Sequence, residues 1–478
     1  MSIGLGGVLL IPLAGAATLA LVGHGRAAGH LNSGFCGLTL AATLWLAFDL
    51  PPDADTLFAD EMSIVFLLLN AVVAFTTSLF SSAYVRHEVL RGRLNPINAR
   101  IYHGLYQMIV FGMNLALVSN NIGLMWAALE LATLSTVVVV GIYRTPAALE
   151  AAWKYFILAS VGISLALFGT ILIYMAAQTV LGPGHEAMLW TELVQAAPRL
   201  DRSLLGLAFI FLLVGYGTKV GLVPLHAWLP DAHAEGPTPI SAILSGLMLN
   251  VALYILLRFK MIMAANGGAA LVGPMMMGLG LASVLFAAFM LYRRHDIKRL
   301  FAYSSIEHMG IIVFAFGLAG PLANFAGVLQ MTLHTLTKSA IFFAVGHIAQ
   351  IKNTQDIFAI GGLTRSHPVI GWSLVAGVAA IVGLPPFGLF MSEFLLLNLA
   401  FEQTPILAIL LGVGLLTALG ALLLHLGRIA FGPLRGASQP VDASVIPLLV
   451  HVVMVAAAGI YLPGPVVRLF ENVARFIG

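Results

Sequence analysis

The chain has 478 residues, of which 60% are apolar and only 9% are charged, and its formal net charge is +3. Soluble globular proteins carry about 25% charged residues, so this composition excludes a water-soluble fold. The small positive charge gives no argument for nucleic-acid binding, and the single Cys36 excludes an intrachain disulfide or a site built from several cysteines.

Apolar runs follow one another along the whole chain, and each is long enough to cross a hydrocarbon core of about 30 Å as a helix. They lack the alternating pattern of a membrane barrel, and backbone groups in lipid must be hydrogen-bonded within the segment. We therefore predict an all-α polytopic membrane protein. Its fourteen predicted spans are residues 2–23, 31–50, 62–85, 103–120, 122–142, 150–178, 204–231, 238–258, 269–292, 300–319, 322–350, 369–399, 405–428 and 445–465.

Lysine and arginine residues in the loops predict the orientation of these spans. Most of these basic residues fall in the odd-numbered loops, and this group includes Lys298 and Lys352. The smaller group, in the even-numbered loops, includes Arg258 and Lys260. Cytoplasmic loops are enriched in Lys and Arg, so both termini are predicted to lie outside.

Two predicted spans contain proline breaks. The seventh reads VGLVPLHAWLP around Pro224, and the twelfth reads VGLPPFGLF around Pro385 and Pro386. Each proline removes a backbone hydrogen bond. KYFILASVG from Lys154 also aligns with KSAIFFAVG from Lys338, five spans further on, and an odd offset reverses the orientation in the membrane. This pattern predicts two inverted five-helix repeats, typical of transporters. The predicted division is 1–100 for three N-terminal spans, 101–260 for repeat one (spans 4–8), 261–432 for repeat two (spans 9–13) and 433–478 for the C-terminal span.

Ionisable side chains inside the spans are the candidates for function. Such a group at mid-membrane costs at least about 2.5–3.5 kcal/mol on insertion scales, so it requires a partner, water or a role in transport. The candidate proton-relay residues are Glu130, Lys219, His334, Lys338 and Glu393, and the weaker candidates are Lys154, Glu150, His308, Asn250 and His425.

Some candidates also have a purely structural interpretation. Glu150 and Lys154 are spaced i,i+4 near a membrane edge, as a snorkelling ion pair would be. His308 could instead form a hydrogen bond within the helix bundle. The histidines and aspartate of the loop HAWLPDAHAEGPTP lack a strong metal-ligand spacing, so no metal site is predicted.

Three stretches resemble a known family: GTKVGLVPLHAWLPDAHAEGPTPISAILSGLML, RRHDIKRLFAYSSIEHMGII and GLPPFGLFMSEF. They are similar to the antiporter-like proton-pumping subunits of respiratory complex I, Mrp-type cation/proton antiporters and energy-converting membrane-bound hydrogenases. The resemblance covers roughly spans four to thirteen and implies a fold of fourteen helices with two inverted repeats. It also implies a subunit without a redox cofactor of its own, in a bacterial or archaeal inner (cytoplasmic) membrane.

The resemblance implies roles for the candidate residues. Glu130 and Lys219 match an ion pair whose opening moves a proton along a hydrated axis. Lys338, with His334 four residues earlier, matches a central relay, and Glu393 matches the exit-side group. Complex I members usually have a central lysine where this chain has Asn250, an amide that can orient water but cannot hold the charge. Asn250, together with Glu393 and the length of 478 residues, makes the sequence more similar to the F component of hydrogenase-4 and formate hydrogenlyase-type complexes than to the complex I subunit that it resembles.

The sequence therefore favours an ion-translocating subunit of a larger membrane redox complex. The expected partners are other membrane subunits, including a further antiporter-like subunit, and a hydrogenase or quinone-oxidoreductase arm. A complex I or Mrp subunit, a stand-alone antiporter and a non-conducting membrane anchor are the alternatives. The choice between H⁺ and Na⁺ stays open.

Overall fold

The computed structural model describes residues 3–22, 25–50, 56–437, 439–440 and 443–478. Within these ranges the regular elements are helices, which confirms the predicted all-α class. The α-helices are α1 Ile3–Val22, α2 Gly25–Phe48, α3 Glu61–Leu90, α4 Pro96–Val118, α5 Ile122–Val140, α6 Pro146–Leu181, α7 Trp190–Ala196, α8 Arg202–Val220, α9 Trp228–Glu235, α10 Thr238–Ile243, α11 Leu249–Ala265, α12 Ala269–Leu291, α13 Ile297–Leu318, α14 Pro321–Lys352, α15 Leu363–Ser366, α16 Pro368–Ile381, α17 Gly388–Gln403, α18 Pro405–Leu426, α19 Ile446–Ile460 and α20 Gly464–Ile477. Short 3₁₀ helices occupy Glu186–Met188, Ala197–Arg199 and Ile357–Ala359, and π-helical turns occupy Leu244–Met248 and Gly427–Phe431.

In the described part of the chain, twelve helices are long and apolar enough to cross a membrane. α19 and α20 pass the same test only as a pair, bent by 80°. The predicted span 369–399 is divided between α16 and α17. A polytopic membrane protein is thus confirmed, and the predicted number of spans is reached when the divided span and the bent pair each count as one crossing.

The eighth span extends further than predicted. The π-helical turn Leu244–Met248 joins α10 to α11, and the helix continues past residue 258 to Ala265. Arg258 and Lys260, counted above as loop residues, are therefore buried within it, with 1% and 4% exposure. Lys298 and Lys352 are likewise buried in helices. Because these four residues are not loop charges, they do not support the orientation of the termini, which stays a prediction.

Arg258 is buried because it finds a partner far away in the sequence. Its guanidinium donates two hydrogen bonds of 2.7 Å to the carboxylate of Asp60, the residue that caps α3. The guanidinium also lies 4.4 Å from the ring centroid of Trp190. A planar guanidinium suits both contacts. The pair joins α3 to α11 and connects the N-terminal spans to the first predicted repeat.

The two proline breaks have the same local backbone geometry. The first separates α8 from α9, and the second separates α16 from α17. Each begins with a glycine in the left-handed region, Gly221 with φ 83° and Gly383 with φ 67°. At both, the amide of the next leucine donates to a carbonyl in the last turn of the preceding helix, at 2.9 and 3.0 Å. This matches the C-cap geometry that favours glycine. The breaks correspond locally, and the repeat boundaries stay a prediction.

α9, the short helix after the first break, is held at both ends. At its start the indole of Trp228 donates to the Thr218 carbonyl at 2.8 Å and stacks on Tyr155 with centroids 4.3 Å apart. At its other end the ammonium of Lys298, on α13, donates to two backbone carbonyls at 3.0 and 2.8 Å. α9 is therefore fixed to α6, α8 and α13.

Candidate proton-relay site

Lys219 and Glu130 form the first centre, beside the first break. Lys219 lies in the last turn of α8 and is 1% exposed. Its ammonium is 3.1 Å from a carboxylate oxygen of Glu130 on α5, and it donates to the hydroxyl of Thr133 at 2.8 Å. Thr133 follows Glu130 by one turn, so α5 presents both oxygens together. The structure thus brings this predicted pair into contact, and it adds a hydroxyl that was not among the predicted residues.

Glu150 and Lys154 also pair, but at the surface. Their charged groups are 2.8 Å apart, and their side chains are 67% and 49% exposed. Lys154 also lies 3.1 Å from Asp231 of α9, which in turn pairs with Arg299. These contacts join the start of α6 to α9 and α13, and they do not include the first centre. The geometry favours the structural interpretation of this pair.

Asn250 connects α11 to α14 in the middle of the bundle. Its amide nitrogen donates to the hydroxyl of Thr335 at 2.6 Å and to the carbonyls of Gly246 and Met331, both at 3.2 Å. The Thr335 hydroxyl in turn donates to the Gly246 carbonyl at 2.7 Å. The Gly246 carbonyl, which lies in a π-helical turn, accepts from both side chains. These hydrogen bonds hold the Asn250 side chain against α14.

Lys338 and His334 lie one turn apart on α14, both fully buried. The ammonium of Lys338 donates to the Phe301 carbonyl at 2.8 Å. It forms no ion pair among the described residues, in contrast to Lys219. Neither ring nitrogen of His334 has a hydrogen-bond partner within the described part of the chain, and its ring stacks on His308 with centroids 5.4 Å apart. Buried polar atoms are normally hydrogen-bonded, so these two nitrogens require a water molecule or another partner.

Glu393 and His308 form the second centre, beside the second break. A carboxylate oxygen of Glu393 is 3.9 Å from the Nδ1 of His308. The amide nitrogen of Gln330 donates to the same oxygen at 3.1 Å and also lies 3.1 Å from that histidine nitrogen. The hydroxyl of Ser392 donates to the carbonyl oxygen of Gln330. The Glu393 carboxyl occupies the space that a side chain at Gly383 would need. The break thus makes room for this acid.

Glu307, which precedes His308 on α13, was not among the predicted candidates. It is 3% exposed, and its Oε2 has no hydrogen-bond partner among the described residues. A glutamate inside the apolar tenth span was visible in the motif SSIEHMGII, and the cost of burying it was a sufficient signal. Gln330 and Ser392 carry no such signal, because an uncharged polar residue in a span is common.

His425 is not part of either centre. Its Nε2 lies 3.1 Å from the Leu291 carbonyl, a contact that joins α18 to α12. Of the ten predicted candidates, the structure therefore places Glu130 with Lys219, and gathers His334 and Lys338 of α14 with His308 and Glu393. It leaves Glu150, Lys154 and His425 outside these groups. Asn250 lies against α14 through Thr335.

Comparisons with known proteins agree with this architecture. The model of the family described as NADH:quinone oxidoreductase/Mrp antiporter, TM, matches residues 119–419. The chain is 58% identical over 465 residues to the Hydrogenase-4 component F homolog of Methylacidiphilum infernorum, covering 97% of this chain and 98% of that protein. It is 32% identical over 326 residues to NADH-quinone oxidoreductase subunit M of Pseudomonas aeruginosa, covering 67% of this chain and 62% of that protein.

Solved structures share the fold over nearly the whole chain. One chain of the membrane-bound sulfane sulfur reductase, an archaeal respiratory membrane complex, superposes with a TM-score of 0.89 at 22% identity, covering 100% of this chain and 98% of that one. One chain of the Mrp complex from Dietzia sp. DQ12-45-1b superposes with a TM-score of 0.82 at 18% identity, covering 99% and 97%. At these identities the likeness shows the fold alone.

Proposed function

Because the chain belongs to the NADH:quinone oxidoreductase/Mrp antiporter membrane family, we propose that it is a proton-translocating subunit of a membrane-bound redox complex of the hydrogenase-4 or formate hydrogenlyase type. The similarity to a Hydrogenase-4 component F homolog over almost the full length of both chains supports this type. In this proposal its partners are other membrane subunits, including a further antiporter-like subunit, and a hydrogenase or quinone-oxidoreductase arm. It lies in the inner membrane with both termini outside.

The observation that carries the proposal is the buried pair of Lys219 and Glu130 beside a helix break. Their charged atoms are 3.1 Å apart in a region where Lys219 is 1% exposed. A buried pair is stable only while both charges are matched, and separation leaves a charge that the interior cannot solvate. Opening the pair therefore drives Lys219 to release its proton, and closing it favours the charged form again.

From the first centre the proposed route runs along α14 to the second break. Asn250 holds water without carrying charge, and Lys338 receives the proton on its amine to become an ammonium. Glu393 then takes up the proton as a carboxylic acid and releases it on the exit side. The chain itself provides binding and transfer of protons, and the redox chemistry belongs to partner subunits.

The proposal is tested by Lys338→Gln and Glu393→Gln in the intact complex, reconstituted in vesicles. We expect both variants to assemble and to lose proton uptake coupled to redox turnover, because neither amide can exchange the proton. Glu402→Gln is the matched control, since Glu402 is an exposed glutamate at the end of the same helix as Glu393.

Unchanged proton uptake in both variants would contradict the proposal and favour a non-conducting anchor. Cation/proton exchange by the purified single chain would favour a stand-alone antiporter. Co-purification with an NADH-oxidising arm, or with small Mrp subunits, would assign the chain to one of the other two complexes of the family.

A further inference from the structure

A small cavity lies between α13, the second break and α18, and its volume is about 60 Å³. Glu307 and Glu393 both line it, and its other lining residues are apolar. Liquid water occupies about 30 Å³ per molecule, so the cavity has room for one or two waters. Two acids from different helices thus face one water-sized space.

Glu307 is not held in place as a structural carboxylate would be. It is 3% exposed, and its Oε2 has no hydrogen-bond partner among the described residues. A buried ionised carboxylate without partners is costly, so this group requires either a proton or bound water. Glu393 differs, because it accepts a hydrogen bond from Gln330 at 3.1 Å. Glu307 is therefore the more weakly held of the two acids.

Polar groups connect Lys338 to this cavity. Lys338 is anchored on the carbonyl of Phe301, and Ser304 follows one turn later on α13, with a buried hydroxyl that has no partner in the described part of the chain. Glu307 is one further turn along the same helix. The charges of Lys338 and Glu393 both act on Glu307. Water beside Ser304 would complete the connection.

Among the described residues no other ionisable group lines the cavity, so a proton bound there is shared between Glu307 and Glu393. His308 and His334 stack on one another, and His308 lies on the Gln330 side of Glu393. Two carboxylates that face an apolar space repel each other, so one of them is favoured in the protonated form. The lining offers too few oxygen atoms to replace the hydration shell of Na⁺.

From this geometry, and resting on the proposed function, we propose that Glu307 is a further proton-relay residue that carries the proton from Lys338 to Glu393. The Lys338 ammonium gives a proton through water to the Glu307 carboxylate, which leaves a neutral amine and a carboxylic acid. After Glu393 has released its proton on the exit side, Glu307 passes its proton through cavity water to the Glu393 carboxylate and is ionised again. The first centre returns a proton to the Lys338 amine.

The test compares Glu307→Gln and Glu307→Asp with the control Glu402→Gln in the intact complex, reconstituted in vesicles. A positioned acid–base group contributes roughly 10²–10⁴-fold to a proton transfer, so we expect Glu307→Gln to slow the share of proton uptake that Glu393→Gln abolishes at least about tenfold. Glu307→Asp keeps the carboxyl but shortens it, and an intermediate loss is expected. Glu402→Gln should leave proton uptake unchanged. Wild-type pumping in Glu307→Gln would overturn the proposal, and pumping by Glu307→Asp above that of Glu307→Gln supports it.

Infrared difference spectroscopy separates this proposal from the proposed function. We expect a protonated-carboxyl band that Glu307→Gln removes and that Glu393→Gln shifts, because the two acids share the proton. If the wild-type complex moves no protons, the proposed function fails. The infrared band still shows whether Glu307 and Glu393 share a proton. A band that neither variant changes, or loss of Na⁺ uptake in place of proton uptake, would overturn the proposal.

Discussion

At the first break a lysine and a glutamate lie 3.1 Å apart, and a threonine hydroxyl completes the site. At the second break two glutamates and a histidine lie close together, and the 3.9 Å approach of His308 to Glu393 is the contact between ionisable groups there. The first centre is therefore satisfied by its own protein atoms. The second has unpartnered acceptors in the described chain and requires a proton or water to be stable.

Because their contacts differ, the two centres would contribute to proton transfer in different ways. Opposite charges stabilise one another, so in the proposed function the first centre acts by coming apart and closing again. Two neighbouring carboxylates disfavour each other's ionised form, so in the proposed function the second centre acts by gaining and losing a proton. Substitutions should therefore change stability most at the first centre, and proton transfer without large loss of stability at the second.

The largest effect on stability is expected from Lys219→Met. Removing one partner of a buried ion pair costs about 3–5 kcal/mol, because Glu130 is left uncompensated. The double variant Lys219→Met/Glu130→Gln should cost clearly less than the sum of the single variants. Denaturant unfolding of the purified chain in detergent measures all three. Additive costs would mean that the two groups do not interact, and the contrast between the centres would be lost.

A smaller effect is expected from Asn250→Ala, between the two centres. The substitution removes the donor to Thr335 and to two carbonyls, and a lost buried hydrogen bond costs about 1–3 kcal/mol. Proton uptake should slow without stopping, because Asn250 holds no charge. Asn472→Ala is a control, since Asn472 also donates a side-chain hydrogen bond, but at an exposed site. Complete loss of uptake in assembled Asn250→Ala complex would show that this amide does more than orient water.

The smallest effect is expected from Glu150→Gln. Exposed ion pairs contribute about 0–1 kcal/mol, and salt screens them. The free energy of unfolding should therefore change by less than about 1 kcal/mol, and the change should shrink further as salt is added. Proton uptake in vesicles should equal that of the wild type. A loss of uptake as large as that of Lys338→Gln would place the exposed pair on the relay.

The spans and their breaks could be predicted because they depend on local sequence. An apolar run sets the length of a helix, and prolines such as Pro224 and Pro386 interrupt it. Arg258 was assigned to a loop for the same reason, since a charge normally ends a span. The helix continues because Asp60, far away in the chain, neutralises that charge. No local pattern contains this partner.

The candidate site was predictable only in part. Lys219, Lys338 and Glu393 stand out as charges in apolar sequence. The resemblance to the family implies the order in which they would pass a proton. Glu307 stands out equally, but its meaning depends on the packing of α13 against the second break, which brings it to the cavity beside Glu393. Contacts between helices distant in sequence decide such groupings, and a single sequence does not contain them.

The bond from Lys298 to the end of α9 has a mechanical consequence. Lys298 belongs to α13, the helix that also supplies the carbonyl for Lys338 and carries Glu307. If α13 rotates or slides, it moves the end of α9, the short helix of the first broken span. The same movement shifts the Phe301 carbonyl that anchors Lys338. α13 is therefore a direct mechanical link between the end of α9 and the anchor of Lys338, and a movement at one is transmitted to the other.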